Sequence, residues 1–455
     1  MPRKPKRSNS TAITLLVVLI VMMIAATIML IRSCINLVNK VASPSETKTS
    51  ITSGERNPER TDTAETEPLE KPQIVSTATV GATGDLLMHL NNIAVCAQSD
   101  GSYDFESIFR YAKDTMSSYD YMVANLETTF GGPDYPYRGN PFNCPDSLTE
   151  SAADAGIDML LTANNHSSDT LTDGILRTIE TVRAQGLETL GTQLNDTEDK
   201  YSVVEVNGIK IGMLCYTYAD GEAEAGRPVL NWNSPVSKAG IVNYFLENDL
   251  NRFYSEVETH LASMKADGAE ATMLYIHWGT EYELAENATQ RTIAQNMCDL
   301  GIDVIVGGHP HVVQPMNLLT STTDPDHKTV CIYSLGNAVS NQRLGNLSNV
   351  DTAHTEDGVI FTVTFEKYSD GSVYVSGTDV VPTWVNYSTV NGKEEYNILP
   401  LDAEKREQWK EMFNLTDTLL TNAQNSYSRT TTIVNAGLQE CQTWLEEAKA
   451  ARDAA

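Results

Sequence analysis

From residue 74 onward the chain alternates between short apolar runs and amphipathic segments. Seven apolar runs have the length and composition of buried strands: Ile74–Ala82, Tyr121–Ala124, Ile157–Thr162, Ile209–Thr217, Thr272–Ile276, Ile302–Val306 and Val330–Tyr333. Helical spacing of apolar residues occurs between several of them: at 105–118, 148–155, 171–185, 243–266 and 288–300. This alternation predicts an α/β domain with parallel or mixed buried strands.

The pattern changes near the C-terminus. Residues 358–385 alternate apolar and polar positions on both sides of a Ser-Asp-Gly turn, which predicts a β-hairpin. Residues 401–455 have helical spacing with two apolar faces, which predicts a pair of helices packed on the main domain. We therefore place the α/β domain at 74–392 and a C-terminal helical extension at 393–455.

The N-terminal segment predicts a membrane anchor. Residues 12–31 are twenty uncharged and mainly apolar positions, and a helix of that length, at about 1.5 Å per residue, crosses a hydrocarbon core of about 30 Å. Four basic residues precede this run and two follow it, so residues 1–11 are expected in the cytoplasm and the body outside the cell membrane. A cleaved signal peptide is the alternative, although the run is longer than the usual apolar region of such a peptide. Residues 32–73 are rich in Ser, Thr, Glu and Pro, which predicts a flexible linker.

Composition narrows the function. Apolar residues make up 41% of the chain, enough for a large core, but 60 acidic residues stand against 32 Lys and Arg. Because an acidic body repels phosphate backbones, no nucleic-acid partner is expected. The seven cysteines form no Cys-x-x-Cys pair, which argues against a zinc ribbon or a redox motif. Cys96 and Cys144 lie in loop-like stretches, and whether they pair stays open.

Polar clusters directly follow five of the predicted strands: Thr83-Gly84-Asp85, Asn125-Leu126-Glu127, Ala163-Asn164-Asn165-His166, His277-Trp278-Gly279 and Gly307-Gly308-His309-Pro310-His311. Ligands of open α/β sheets bind at the carboxyl ends of strands, so these clusters are expected to converge. The proline between the last two histidines predicts extended backbone at both.

The donors in these clusters suggest a metal site. Carboxylate, amide and imidazole groups without a thiol suit a divalent ion such as Mn, Fe or Zn, whose identity stays open. Two metals held together by a shared carboxylate are a common device for cleaving phosphoesters. The sequence therefore favours a metal-dependent hydrolase over a purely structural protein.

The ordered blocks GD, NLE, ANNH, HWG, GGHPH and SLGN over residues 75–385 resemble the CapA-type capsule-synthesis family, the poly-γ-glutamate biosynthesis proteins. That family is similar to the calcineurin-like metallophosphoesterases. The resemblance implies a four-layer αββα sandwich, here with an N-terminal transmembrane helix and a C-terminal helical extension. It also implies a place in capsule or cell-envelope polymer synthesis, with an anionic polymer or envelope substrate and other capsule-synthesis membrane proteins as partners.

The same resemblance implies six metal ligands: Asp85, Glu127, Asn165, His277, His309 and His311. Asp85 and His311 would hold one metal, Glu127 would bridge both, and the other three would hold the second. His166 would stay unligated as an acid or charge stabiliser, and Asp169 would orient it. Glu281 would orient His277 in the same way.

Two departures bear on this pattern. Phosphoesterases open with Asp-x-His, whereas Leu87 stands where that histidine is expected, and His89 is a substitute only if the chain turns there. The bridging position carries Glu127 in place of aspartate. Both weaken the case for a fully occupied two-metal site, and a non-catalytic component that binds or exports the polymer stays open as the alternative function.

Two further residues are candidates for binding substrate. Arg138 lies in a loop, where its guanidinium is suited to a carboxylate or phosphate; a solvated surface arginine is the alternative. Asn337 belongs to the SLGN block, and a structural or a substrate-binding role is open for it.

Overall fold

The computed structural model describes residues 71–346 and 351–454. The predicted cytoplasmic segment 1–11, the anchor 12–31 and all but the last three residues of the linker 32–73 lie outside the described residues. Within the described ranges, no helix combines the length and the apolar character that crossing a membrane requires.

Seventeen strands occur in the described residues: β1 (Ile74–Leu86), β2 (Tyr121–Leu126), β3 (Met159–Leu161), β4 (Glu188–Leu190), β5 (Tyr201–Val206), β6 (Ile209–Tyr218), β7 (Gly221–Ala223), β8 (Arg227–Val229), β9 (Tyr244–Phe245), β10 (Ala271–His277), β11 (Val304–Gly308), β12 (Met316–Thr320), β13 (Lys328–Ile332), β14 (Asn337–Val339), β15 (Asp357–Tyr368), β16 (Val373–Val390) and β17 (Lys393–Pro400). The α-helices span Leu90–Cys96, Glu106–Phe109, Lys113–Met116, Ser147–Asp154, Leu171–Ala184, Leu250–Ala266, Ala288–Asp299, Trp409–Met412 and Asp417–Ala454. All seven predicted strands and the hairpin are present, and the prediction of a mixed α/β domain is confirmed.

The strands form two large mixed sheets and one small one. The first large sheet has the order β17-β16-β15-β1-β2-β3-β4, with β14 beside β1, and its strands β1 to β4 run parallel. The second has the order β12-β13-β11-β10-β6-β5, with β9 beside β6, and β6, β10, β11 and β13 run parallel. β7 and β8 form a separate antiparallel pair.

Three apolar clusters define four layers. The largest cluster takes alternate residues from both large sheets, such as Val80 and Val123 from the first and Met213 and Met273 from the second. Since successive strand residues point to opposite faces, the two sheets face each other across this core. The opposite face of the first sheet packs on the helices between residues 90 and 155. The helices Leu250–Ala266 and Ala288–Asp299 cover the opposite face of the second sheet.

The structure differs from the predicted pattern at three places. Residues 393–400 form β17, which pairs along β16 and extends the first sheet into the segment assigned to the helical extension. One 38-residue helix, Asp417–Ala454, replaces the expected pair; we call it the C-terminal helix. It is preceded by the 3-10 helix Ala403–Gln408 and the one-turn helix Trp409–Met412. The predicted helix 105–118 is two short helices, and residues 244–245 of the predicted helix 243–266 form β9.

All cysteines in the described residues are unpaired and buried. Cys96 and Cys144 both lie in the apolar cluster between the first sheet and its helices. Burial raises the pKa of the Cys96 thiol to about 12 and that of Cys144 well above its ordinary value. The Cys96–Cys144 disulfide that the sequence leaves open is not formed in the structure. Both thiols pack as small apolar side chains.

Candidate metal centre

The register of the parallel strands brings the polar clusters together. Asp85 at the end of β1 lies opposite Asn125 in β2, and His277 at the end of β10 lies opposite Gly308 in β11. The carboxyl ends of neighbouring parallel strands share one sheet edge, so short loops after each strand place their side chains side by side. All six residues implied as metal ligands are buried at this edge.

Asp85, Glu127 and His311 form the first donor group, which has one ligand atom from each residue within 4.8 Å of the others. The Asp85 carboxylate accepts a hydrogen bond from Asn125 Nδ2 at 2.7 Å, and its other oxygen lies 3.1 Å from His311 Nδ1. Burial alone would raise the pKa of Asp85, but the hydrogen bond and charge of His311 outweigh it and hold this pKa below the ordinary value.

Glu127, His277 and His309 form the second donor group under the same 4.8 Å criterion. His277 Nε2 lies 2.8 Å from Asn165 Oδ1 and 3.2 Å from His309 Nδ1. Burial lowers the pKa of His277 to about 3 and that of His309 well below its ordinary value. Both imidazoles are therefore neutral near pH 7, which is the form that binds metals.

Glu127 belongs to both groups. Its surroundings show whether the site is suited to a metal. Its side chain is fully buried, and neither carboxylate oxygen has a hydrogen-bond partner among the described residues. The Nε2 atoms of His277 and His311 lie 3.5 and 3.8 Å from its Oε1. Burial, followed by repulsion from Asp85, raises the Glu127 pKa well above its ordinary value. A buried carboxylate without hydrogen-bond partners, with imidazole nitrogens around it, fits a divalent cation between the two groups.

The backbone around the centre is tightly constrained. A side chain at Gly84 would place Cβ 1.9 Å from the Gly336 carbonyl oxygen, so this close approach of strands requires glycine. His309 and His311 have φ of 95° and 57°, which contradicts the extended backbone predicted for them. Left-handed backbone is unfavourable for these residues, and such strain is concentrated at functional sites.

His166 and Asp169 form a pair beside the two donor groups. His166 Nδ1 lies 2.8 Å from Asp169 Oδ2, which also accepts a hydrogen bond from the Phe142 backbone N–H at 2.5 Å. Two asparagines from a distant loop complete the surroundings: Asn231 Nδ2 lies 3.3 Å from His166 Nδ1, and Asn233 Nδ2 donates to Asp169 Oδ1 at 3.2 Å. The predicted pair is thus in contact, and the roles of His166 and Asp169 stay predictions.

Other predicted residues lie around the centre. Asn337 is fully buried, and its Oδ1 lies 3.2 Å from His311 Nδ1, so it fixes the orientation of this histidine. Arg138 is exposed on the loop whose next residues, Gly139 and Asn140, line a cavity at the site. Glu281 is exposed, and no hydrogen bond among the described residues joins it to His277, contrary to the orienting role expected for it.

His89 does not replace the histidine missing at Leu87. It lies at the start of the helix Leu90–Cys96, with its ring edge-on to Phe142 and its Nδ1 accepting from the Asn341 N–H at 3.3 Å. Burial lowers its pKa to about 4. His89 belongs to neither donor group and instead forms part of the cavity wall.

Two cavities open at the centre. The larger, of about 810 Å³, is lined by Asn165, His309 and the exposed Trp232. We call it the acidic groove because four carboxylate side chains line it. The smaller, of about 420 Å³, is lined by His89, His166 and His311. Glu281 lies at the wall of both, so the two cavities adjoin each other beside the centre.

Sequence analysis named the donors and Asn337, but not Asn125, Asn231 and Asn233, whose amides also lie around the centre. Asn125 was visible in the NLE block, at a strand end beside Asp85, and could have been assigned from strand order. Asn231 and Asn233 carry no motif and lie more than sixty residues from the pair that they contact. Only the tertiary structure brings them there.

The fold and the donors define a class: a two-sheet α/β protein with a buried histidine–carboxylate centre suited to divalent metals. Residues 79–342 match the family described as bacterial capsule synthesis protein PGA_cap. Since this match spans more than half of the chain, the chain belongs to the PGA_cap family.

Two curated relatives carry matching names. The chain is 27% identical over 285 residues to "PGA biosynthesis protein CapA" of Bacillus subtilis (strain 168), covering 60% of this chain and 65% of that protein. It is 25% identical over 272 residues to "Capsule biosynthesis protein CapA" of Bacillus anthracis, covering 58% and 60%. The chain thus spans less than two thirds of either relative.

Two solved structures are distantly similar. One is the sulfate thiohydrolase SoxB of Thermus thermophilus with glycerol: TM-score 0.33, 15% identity, 68% of this chain and 45% of that one. The other is the purple acid phosphatase PPD1 of yellow lupin: TM-score 0.29, 12% identity, 67% and 53%. These TM-scores are too low to support a conclusion about fold or activity.

Proposed function

We propose that this protein is a metal-dependent hydrolase of the metallophosphoesterase type, acting in capsule or cell-envelope polymer biosynthesis outside the membrane. The observation that carries the proposal is Glu127, whose unpartnered buried carboxylate is shared by two donor groups. Asp85 and His311 would hold one ion and Asn165, His277 and His309 the other. Divalent ions bound there would supply Lewis-acid activation and charge stabilisation.

His166 is the proposed acid or charge stabiliser. It belongs to neither donor group, yet it lines the smaller cavity together with His311. Asp169 holds its Nδ1, which leaves Nε2 as the nitrogen available to a substrate. General acid–base groups of this kind typically contribute about 10²–10⁴ in rate.

A second candidate function is a polymer-binding or export component without catalysis. The observation that favours it is the buried Leu87 at the position where phosphoesterases carry a histidine ligand. The first donor group then has three protein donors, and a partly filled centre is compatible with binding alone. Other capsule-synthesis membrane proteins and an anionic polymer would be its partners.

The experiment compares full-length protein and its variants by metal analysis and by a hydrolysis screen with manganese. We expect His166→Ala to retain metal and lose turnover by about 10²–10⁴, whereas His309→Ala loses metal. His327→Ala, at a histidine outside both groups, is the matched control. If His166→Ala leaves hydrolysis unchanged, the catalytic role is wrong. If no substrate turns over and capsule export fails in the His309 variant, the binding function is favoured.

The proposed topology is tested separately. Protease added to intact spheroplasts should degrade residues 75–455 if the anchor at 12–31 leaves the body outside. Full protection of this region would contradict the orientation, and a mature protein that begins after residue 33 would contradict the uncleaved anchor.

A further inference from the structure

The loop at residues 230–233, which we call the NWN loop, joins the His166–Asp169 pair to the acidic groove. Leu230 anchors it in a small apolar cluster with Ile175 and Ile179 of the helix Leu171–Ala184. This helix directly follows Asp169, so the loop and the pair are fixed to the same element. The loop is therefore placed by packing rather than by the local sequence.

Two side chains of the loop contact the pair from one side. The Asn231 amide lies 3.3 Å from His166 Nδ1, and the Asn233 amide donates to Asp169 Oδ1 at 3.2 Å. The Phe142 backbone N–H fixes the other Asp169 oxygen. Because His166 Nδ1 faces the Asp169 carboxylate and donates to it, the Asn231 amide packs against the ring without a hydrogen bond, and Asn233 fixes the carboxylate that orients the ring.

Trp232, between these asparagines, projects into the groove. Trp232 is 81% exposed, the largest fraction of any large apolar residue in the described chain. Asn231 and Trp232 both have left-handed backbone, with φ of 48° and 56°, and the Trp232 N–H donates to Asp220 Oδ2 at 2.8 Å. An unfavourable backbone that exposes an indole at the mouth of a site indicates a surface for a ligand.

The charge of the groove restricts that ligand. Its carboxylate side chains are Asp220, Glu222, Glu247 and Glu281, and no Lys or Arg lines it. An anionic chain lying along these walls would be repelled. An uncharged ring would not be repelled, and flat rings stack on aromatic side chains, as nucleobases do.

We propose that the NWN loop is a positioning and specificity element of the centre. Asn231 and Asn233 are positioning residues for His166 and Asp169, and Trp232 receives the uncharged ring of a phosphoester whose phosphate lies at the donor groups. This inference rests on the proposed hydrolase function for its substrate class. It places the polyanionic part of any larger substrate outside the acidic groove.

The first test measures binding by calorimetry on full-length protein loaded with manganese, with phenyl phosphate and inorganic phosphate as probes. We expect phenyl phosphate to bind about tenfold more tightly than inorganic phosphate, as one stacked ring predicts. Trp232→Ala should remove this preference, Trp232→Phe should keep most of it, and Tyr374→Ala, an exposed aromatic control, should leave it intact. An unchanged preference in Trp232→Ala would overturn the specificity claim, with or without hydrolysis.

The second test addresses the asparagines. In zinc-loaded protein, the ring N–H proton of His166, identified by its loss in His166→Ala, should shift or broaden in the NMR spectra of Asn231→Ala and Asn233→Ala. Asn207→Ala is the control, since Asn207 has a similar φ of 50° and a side-chain hydrogen bond on the turn between β5 and β6. Where phenyl phosphate is hydrolysed, kcat should fall about 10–100-fold with KM retained. An unchanged proton signal in both variants overturns the positioning role even if the wild type proves inactive.

Discussion

The two donor groups of the centre differ in how the protein holds them. In the first, Asp85 and His311 contact each other at 3.1 Å, and Asn125 and Asn337 fix them by hydrogen bonds of 2.7 and 3.2 Å. In the second, His277 and His309 are neutral nitrogen donors 3.2 Å apart with the Asn165 amide oxygen beside them. The first group has a carboxylate of its own, Asp85, in contact with an imidazole, whereas the second adds only uncharged imidazole and amide groups to the shared Glu127.

We expect the first group to contribute more to the stability of the fold and the second group more to metal binding. Contacts among uncharged imidazole and amide groups stabilise the fold less than a contact with a carboxylate does, and buried nitrogen and oxygen donors gathered beside Glu127 are suited to a cation. The second group also offers four donors when Asn165 and Glu127 are counted, against three in the first group. We therefore expect the second group to bind its metal more tightly, and the following predictions test that asymmetry.

The largest effect is expected for Glu127→Gln, because this residue belongs to both groups. Both metals should be lost, as measured by metal analysis after dialysis. The metal-free variant should nevertheless unfold at a higher temperature than the metal-free wild type at pH 7. At pH 7 a buried unpartnered carboxylate must either keep its charge or take up a proton, and each costs free energy that the uncharged glutamine amide avoids.

The same variant should change the pH dependence of stability. In the folded metal-free protein the Glu127 pKa lies above its value in the unfolded chain. The folded state therefore binds the extra proton, and its stability falls as pH rises above the ordinary carboxyl pKa. Urea unfolding of metal-free protein should show less of this loss in Glu127→Gln. Equal pH profiles would mean that Glu127 is paired in solution.

The next largest effect separates the two groups. His309→Ala should abolish the tighter metal site and Asp85→Asn only the weaker one, as resolved by competitive titration with a chelator. The loss should exceed the roughly 10–100-fold that removal of a supporting residue costs. If Asp85→Asn removes the tighter site instead, the proposed order of affinities is reversed.

A smaller effect is expected for the supporting amide of the first group. Asn337→Ala should weaken the first site about 10–100-fold, since Asn337 contacts His311 and would orient this ligand. The second site should keep its affinity. Asn397→Ala, a buried asparagine that bonds the Ser107 carbonyl far from the centre, controls for loss of a buried amide. A matching loss at the second site would show that the two groups are not independent.

Much of this architecture was readable from the sequence, for a physical reason. Central parallel strands are buried on both faces and therefore stand out as apolar runs, as at β6 and β10. The residues after them fall at one sheet edge by topology, which is why the donors could be named. β17 was missed because it lies at an edge and begins with three charged residues, Lys393 to Glu395.

Other features depended on contacts that no pattern encodes. The single C-terminal helix continues through Gly437 without a break. This residue is glycine because a side chain there would place Cβ 1.8 Å from the Met316 carbonyl oxygen. The left-handed backbone of His309 and His311 and the reach of Asn231 to His166 are likewise consequences of packing. Local sequence predicts elements well, and the strained positions around a site poorly.

The C-terminal helix has a further consequence for solubility. β12 is the last strand of the second sheet, and an uncovered edge strand is a template for pairing with other chains. The helix lies against this strand at Gly437 and Met316 and reaches across to the first sheet, where Gln442 donates to the Thr378 carbonyl at 3.0 Å. The helix thereby protects a sheet edge from self-association. Shortening the helix from its C-terminal end should therefore make the protein aggregate before the donor groups are disturbed.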